Sequence, residues 1–402
     1  MPPALPSYAV LALILAALSM LGPFSVDTYL PAFPAMAVAL HATDWQIQQT
    51  LSIYMFSFAL MMLWHGALSD AFGRRKVILI SMAVFALASA GCALASSVHA
   101  LWALRALQGV SAGAGIVIGR AMIRDIYAGA QAEKLLALVN MIFSIGPAIA
   151  PIIGGYLVKW FNWHAIFVFL FLYALLLVSI CYKRLPESLA PEKRQPFHPG
   201  FLWKSYVRVF GSLRFQLKAG TIAFNFAGLF LLVASAPVVV TRHLGLGPDQ
   251  FAWLFVPAVS GIFLGSLTVS RMAGRMPIAR QVRIAYWLML GAGLFNTLYH
   301  SVFPPALPWT VLPGFFYTCG MAMAMPGITL MVLDLFPEIR GIAASCQSFT
   351  MTMLSSVVAG AAAPLLSPSM VFLAAGQLAF ALIGFTLWRF ASRAGAARLQ
   401  PG

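Results

Sequence analysis

Charge is scarce in this sequence, and acid is scarcest. Only 9% of the 402 residues are Asp, Glu, Lys or Arg, and just ten are acidic, too few to solvate a soluble domain, for which about 25–35% is usual. Cysteine is sparse too. Cys92, Cys181, Cys319 and Cys346 stand singly in apolar runs, with no CxxC and no paired histidines, which argues against disulfides or a metal site and for small buried hydrophobes. No phosphate-binding GxxxxGK[ST], no nucleophile turn and no His/Cys ligand cluster occurs. ATP hydrolysis and covalent catalysis therefore lack their residues, and an enzyme is not expected. No charged segment or small-residue cleavage site precedes a polar domain at the N-terminus, so Tyr8 onward reads as a retained span.

What is abundant is hydrophobicity, at 61% of residues. Windows of about 19 residues give twelve candidate spans, near 8–30, 46–68, 77–96, 100–122, 135–158, 164–182, 219–240, 250–270, 282–300, 309–333, 341–366 and 370–390. Backbone polar groups in a bilayer must be satisfied internally, and no strand-like alternation appears, so these are helices. The expected fold is an all-α polytopic membrane protein of twelve helices in two pseudo-symmetric six-helix bundles, 1–182 and 219–402. A polar connection over 183–218 joins them, with FLWKSYVRVF lying amphipathically on the membrane surface. An echo at an offset of roughly 200 residues supports duplication: Gly73 and Arg74 correspond to Gly274 and Arg275, and Asp125 to Asp334.

The net charge of +15 raises the question of a nucleic-acid partner, but the cations are sorted by membrane side. Of 25 lysines and arginines, 21 fall in the segments on one side, which include the central connection and the C-terminal tail. That side is expected to be the cytoplasm, with both termini there and no nucleic acid needed to explain the charge.

The densest basic stretch is GALSDAFGRRKV, Gly66–Val77, a turn between two spans in which Asp70 closes one helix and Arg74, Arg75 and Lys76 open the next. Short cytoplasmic loops are often basic, but the order Gly66, Asp70, Gly73, Arg74, Arg75 is more specific than that bias. It resembles the loop between the second and third helices of the major facilitator superfamily, with Ala71 standing where that family usually has a cation. Asp27 is the one acidic residue well inside a span. A carboxyl there is costly and marks function by default, here proton exchange, unless the helix stops near Pro31 and leaves it facing water. Arg105, one turn into span 4, either snorkels or supplies the counter-charge to Asp27. Arg105, Gln108 and Gly109 resemble the RxxQG motif of the same superfamily, and Gly109, Gly113, Gly115 and Gly119 form a small-residue face.

Span 5 carries Gly146, Pro147, Pro151, Gly154 and Gly155, which break and thin a helix. The bland alternative is a packing kink, but GPAIAPIIGG resembles the antiporter signature of the superfamily in its Bcr/CflA form. The run Asp27–Pro34 and the Arg120, Arg124, Asp125 end of span 4 are similar to that type as well. The resemblance implies proton-coupled efflux of hydrophobic drugs or toxic compounds across the bacterial inner membrane. It proceeds by alternating access about a midplane site, without a cofactor, in a monomer. Asp27 would bind the proton and Arg105 tune it. Asp70, Arg74 and Arg75 would latch the cytoplasmic ends with Arg120, Arg124 and Asp125, and the glycines and prolines of span 5 would switch conformation. Tyr29, Tyr54, Gln108, Asn140 and Asn225 are candidates to line the substrate cavity. The alternative is a proton-coupled importer of a small polar solute, which would be expected to place more acids and amides in the spans. His65, His99, His164 and His300 lie at span ends and read as satisfied interfacial histidines rather than proton relays.

Overall fold

The computed structural model describes residues 6–272 and 275–396, and no strand occurs among them. Gly274, expected to echo Gly73, lies outside the described residues. The chain divides into two compact units between Pro199 and Gly200. The first holds α1 (Tyr8–Asp27), α2 (Phe33–Ala39), α3 (Asp44–Phe72), α4 (Arg74–Ala93), α5 (Val98–Ala112), α6 (Ala114–Ile126), α7 (Gly129–Trp160) and α8 (His164–Arg184). Then come α9 (Pro199–Phe210), α10 (Leu213–Val238), α11 (Ala252–Met272), α12 (Ile278–Val302), α13 (Leu312–Leu333), α14 (Arg340–Val357), α15 (Ala363–Leu366) and α16 (Met370–Ala396).

Eleven helical segments among the described residues are long and apolar enough to cross a bilayer. The twelfth expected span is α12, 25 residues long. Arg280 and Arg283 in its opening turns, with Asn296 and His300 toward its end, dilute its hydropathy without shortening it. The protein is thus a multi-pass membrane protein with six spans in each unit.

Local signals fix the ends. Thr43 and Gln46 form a reciprocal capping box at the start of α3. Span 1 runs on past its apolar core: Pro31 opens a 3-10 turn and Pro34 sits in the first turn of α2, positions where a missing N–H costs nothing. Tyr8–Ala39 is therefore one 32-residue span with a break just after Asp27. The expected loop over Gly66–Val77 is much shorter than the motif. The helices close to a single residue, Gly73, whose φ of +96° ends α3 and starts α4 and suits glycine alone. Span 5 is also corrected. Pro147 and Pro151 lie inside an unbroken α7, so glycine thins this helix and proline does not break it.

The segment expected as a linker has two parts. Its first part docks on the first unit, as described below, and its second part is α9. That helix buries Leu202, Tyr206 and Val209 and exposes Phe201, Trp203 and Val207, the amphipathic pattern expected. All four cysteines are buried and unpaired.

Candidate functional site

Asp27 is the last residue of α1 and is 6% exposed, so it does not face water. It has no ion pair with Arg105, and the expected carboxylate–guanidinium bridge is absent. Arg105 is instead wholly buried and caged by neutral groups. Its Nη1 donates to Ser25 Oγ at 3.0 Å and to Gln108 Oε1 at 2.8 Å, and its Nη2 donates to the Ser25 carbonyl at 3.2 Å. Its guanidinium carbon stands 4.6 Å from the ring centre of Tyr29 and 4.3 Å from that of Tyr54. A desolvated cation between two aromatic faces gains about 2 kcal/mol or more. That is how a buried cation persists without a carboxylate partner.

The cage is itself anchored. Gln108 Nε2 donates to Ser89 Oγ at 2.7 Å, and Ser89 donates to the Phe85 carbonyl. Tyr29 is hydrogen-bonded to Thr50, which donates to the Ile47 carbonyl. Glycines set the helix spacing. A Cβ on Gly109 would strike the Tyr54 carbonyl, and one on Gly115 the Leu18 carbonyl, so α5 and α6 lie backbone to backbone against α3 and α1. A Cβ on Gly154 would strike the Thr28 carbonyl in the same way. The thinnest point of α7 thus touches the residue after Asp27.

Among the substrate-cavity candidates, Tyr29, Tyr54 and Gln108 are fully buried and spent on the cage. Asn140 lies on the exposed face of α7. Asn225 belongs to the core of the other unit, where Tyr286 donates to its Oδ1 and Tyr317 to its carbonyl, each at 3.0 Å.

The basic motif forms a closed network. Arg74 bonds Asp70 at 2.5 Å, Asp125 at 3.1 Å and Ser69 Oγ at 2.6 Å. Arg120 and Arg124, expected to share in it, make no ion pair among the described residues. Their place is taken by residues the sequence did not single out. Glu187 accepts from the backbone amides of Arg74 and Arg75, at 3.0 and 3.3 Å, so its carboxylate caps α4. Ser188 donates to Asp125, the Gln195 amide donates to the Asp70 carbonyl, and Arg75 donates to the Tyr182 carbonyl. In the second unit Asp334 pairs with Arg340 in the open, 3.2 Å away, so the echo is not a second copy of this network.

The profile of the Major Facilitator Superfamily matches residues 15–360. The chain belongs to the Major Facilitator Superfamily. It is a transporter of that fold and not an enzyme. It is 32% identical over 286 residues to the bicyclomycin resistance protein homolog of Haemophilus influenzae, covering 71% of this chain and 72% of that one. It is 28% identical to multidrug resistance protein D of Escherichia coli, over 88% of this chain and 89% of the relative. These relatives agree with the Bcr/CflA resemblance. Among solved structures, a bacterial homolog of the human lysosomal transporter Spinster superposes with a TM-score of 0.69 at 17% identity, covering 97% and 98% of the two chains. At that identity the likeness is one of fold.

Proposed function

We propose that this superfamily member exports hydrophobic, drug-like compounds across the bacterial inner membrane in exchange for protons, working as a monomer with both termini in the cytoplasm. Support for drug efflux comes from relatives whose names describe bicyclomycin and multidrug resistance. Support for proton exchange comes from one observation: a lone carboxyl, Asp27, is buried in a span with no ion pair, two residues from a serine that holds a buried arginine by side chain and backbone.

In this scheme protonated Asp27 needs no partner, and Arg105 stays in its cage. Loss of the proton leaves a bare charge in the span, a costly state. The buried cation Arg105 would be drawn toward it and away from Ser25 and Gln108. Because Gly154 of α7 rests on Thr28, movement at Asp27 passes to α7, which gives Gly146, Pro147, Pro151, Gly154 and Gly155 their part in switching. The Asp70–Arg74–Asp125 network would hold the cytoplasmic ends. The energy source is the proton gradient, about 2.3 kcal/mol per charge per 100 mV, and no cofactor enters.

The test is drug-induced proton movement in inside-out vesicles, native against Asp27→Asn. Lipophilic drugs should dissipate an established pH gradient with native protein and leave it intact with the variant. A drug response that survives in Asp27→Asn removes Asp27 from the proton path. A response only to small polar nutrients favours the importer.

A further inference from the structure

Only one side of α9 packs on protein. Leu202, Ser205, Tyr206 and Val209 are buried, and Phe210 beyond them meets Phe215 of α10 and Phe349 of α14, each edge-on with ring centres 5.7 Å apart. The outward side is mixed. Trp203 and Val207 stand one turn apart as an apolar row, 69% and 54% exposed. Lys204 and Arg208, one position further round at the same four-residue spacing, form an exposed basic row beside it. Phe201 exposes another aromatic side chain on the far side of that row. Large apolar groups on both flanks of a cationic row suit a helix lying among lipid headgroups, because the apolar groups enter the acyl boundary while the cations stay at the phosphates.

Connectivity puts α9 at that depth. Only Gly211 and Ser212 separate it from α10, whose span begins at Leu213. Arg208 reaches Glu338, the second residue of the span Pro337–Leu366, at 3.5 Å. The basic row is therefore level with the ends of two spans of its own unit.

The row also has charge to spare. Arg208 and Glu338 are both more than half exposed, where an ion pair contributes little, and Lys204 makes no ion pair among the described residues. The chain around them offers no acid: from Lys193 to Pro248 there is none, while Arg214 and Lys218 open α10 with two further cations.

We propose that α9 is a lipid-recognition element: Lys204 and Arg208 bind the phosphates of anionic phospholipids in the leaflet at that end of the unit, with Trp203 and Val207 seated in the acyl boundary. A zwitterionic headgroup carries a phosphate too, but its ammonium cancels the charge, so the row discriminates by net charge. Each cation near an anionic leaflet contributes about a five-fold preference, and two contribute about 30-fold, less as salt rises.

The test is backbone hydrogen exchange of the purified full-length protein, one copy per lipid nanodisc, without drug or gradient, so its result does not depend on what is transported. Discs of phosphatidylcholine alone are compared with discs that also hold phosphatidylglycerol. Amides of α9 should exchange up to about 30-fold more slowly in the anionic discs, and molar salt should erase the difference. In Lys204→Gln/Arg208→Gln the two lipids should give the same rate. Equal exchange of native α9 in both lipids overturns the proposal. So does a lipid difference that survives in the double variant, which would place the anionic contact elsewhere. Slowing that follows a second copy in the disc rather than the lipid charge assigns the face to self-association and overturns it as well. Amides of α10 and α13 check that the fold is intact, and Lys204→Gln alone, expected to lose about five-fold of the difference, is the second variant if the double one loosens them.

Discussion

The contact between Gly154 and Thr28 lends itself to a quantitative test, because α7 carries its own control. An ideal Cβ on Gly154 lies 2.7 Å from the Thr28 carbonyl carbon and 2.8 Å from its Cα, with the oxygen closer still. These are backbone atoms that no rotamer change moves aside. Reaching ordinary contact at 3.4 Å requires α1 and α7 to part by roughly 0.7 Å or more, and overpacking of that kind costs about 1–3 kcal/mol. Gly146, two turns earlier, faces Met20 Cε at 3.4 Å, an ordinary contact with the end of a flexible side chain. Both Gly→Ala changes gain about 1 kcal/mol of helix propensity. That gain cancels between them, so Gly146→Ala should exceed Gly154→Ala in stability by about 1–3 kcal/mol. Thermal unfolding of the purified variants measures the difference. Drug-dependent proton movement then asks whether Gly154→Ala loses more activity than stability, as it should if the strain falls on the backbone next to Asp27. Equal melting temperatures, or a Gly146→Ala that unfolds first, would refute the close backbone packing of α7 on α1.

Two further variants probe the polar networks. Arg105→Lys keeps the charge but loses the paired bonds to Ser25 and the flat stacking on Tyr29 and Tyr54. It should cost about 2–4 kcal/mol in unfolding measurements and abolish efflux; a variant of native stability and activity would show the cage to be incidental. Glu187→Gln removes the negative charge from the start of α4, worth about 1 kcal/mol. Limited proteolysis of residues 185–198 should then speed up about five-fold, and an unchanged rate would mean that this segment is held elsewhere.

The spans were legible because a bilayer imposes one rule on length and polarity, and each run satisfied it. α12 satisfied it least, because Arg280 and Arg283 crowd its opening turns. The motif residues Gly73, Arg74, Arg105, Gln108 and Gly109 were legible as types at spacings. Their partners were not. The sequence put Asp27 and Arg105 at similar depth, and opposite charge suggested a bridge. It could not show that Ser25 and two tyrosine faces had already met the guanidinium. Serine is too common in spans to signal, though Tyr29, two residues past a buried acid, was a hint. Glu187 was missed for a different reason. A stretch of prolines and mixed charge looks like a connection, and compositional reasoning does not ask where its one early acid points. The clue was that Glu187 lies three residues past the end of α8 while Gly73–Arg75 leaves two backbone amides in need of an acceptor.

The two units carry corresponding polar clusters on corresponding spans. In the first, Ser25 of α1, Ser89 of α4 and Gln108 of α5 surround Arg105. In the second, Tyr286 of α12 and Tyr317 of α13 both donate to Asn225 of α10. These are the first, third and fourth spans of each six. The difference is charge. The second cluster is neutral, and a Cβ on Gly384 would strike Asn225 Oδ1, so it is closed by a glycine contact and tightly packed. A neutral network of this sort fixes helix register and gains little from rearranging. The first encloses a full positive charge held by neutral groups alone, with a carboxyl two residues away that it does not yet bond. The proposed function gives such a network a second arrangement, one in which a carboxylate takes the guanidinium. The same three-helix junction thus occurs in both units, and under the proposed function the arginine and aspartate of the first are what would make it responsive to a proton.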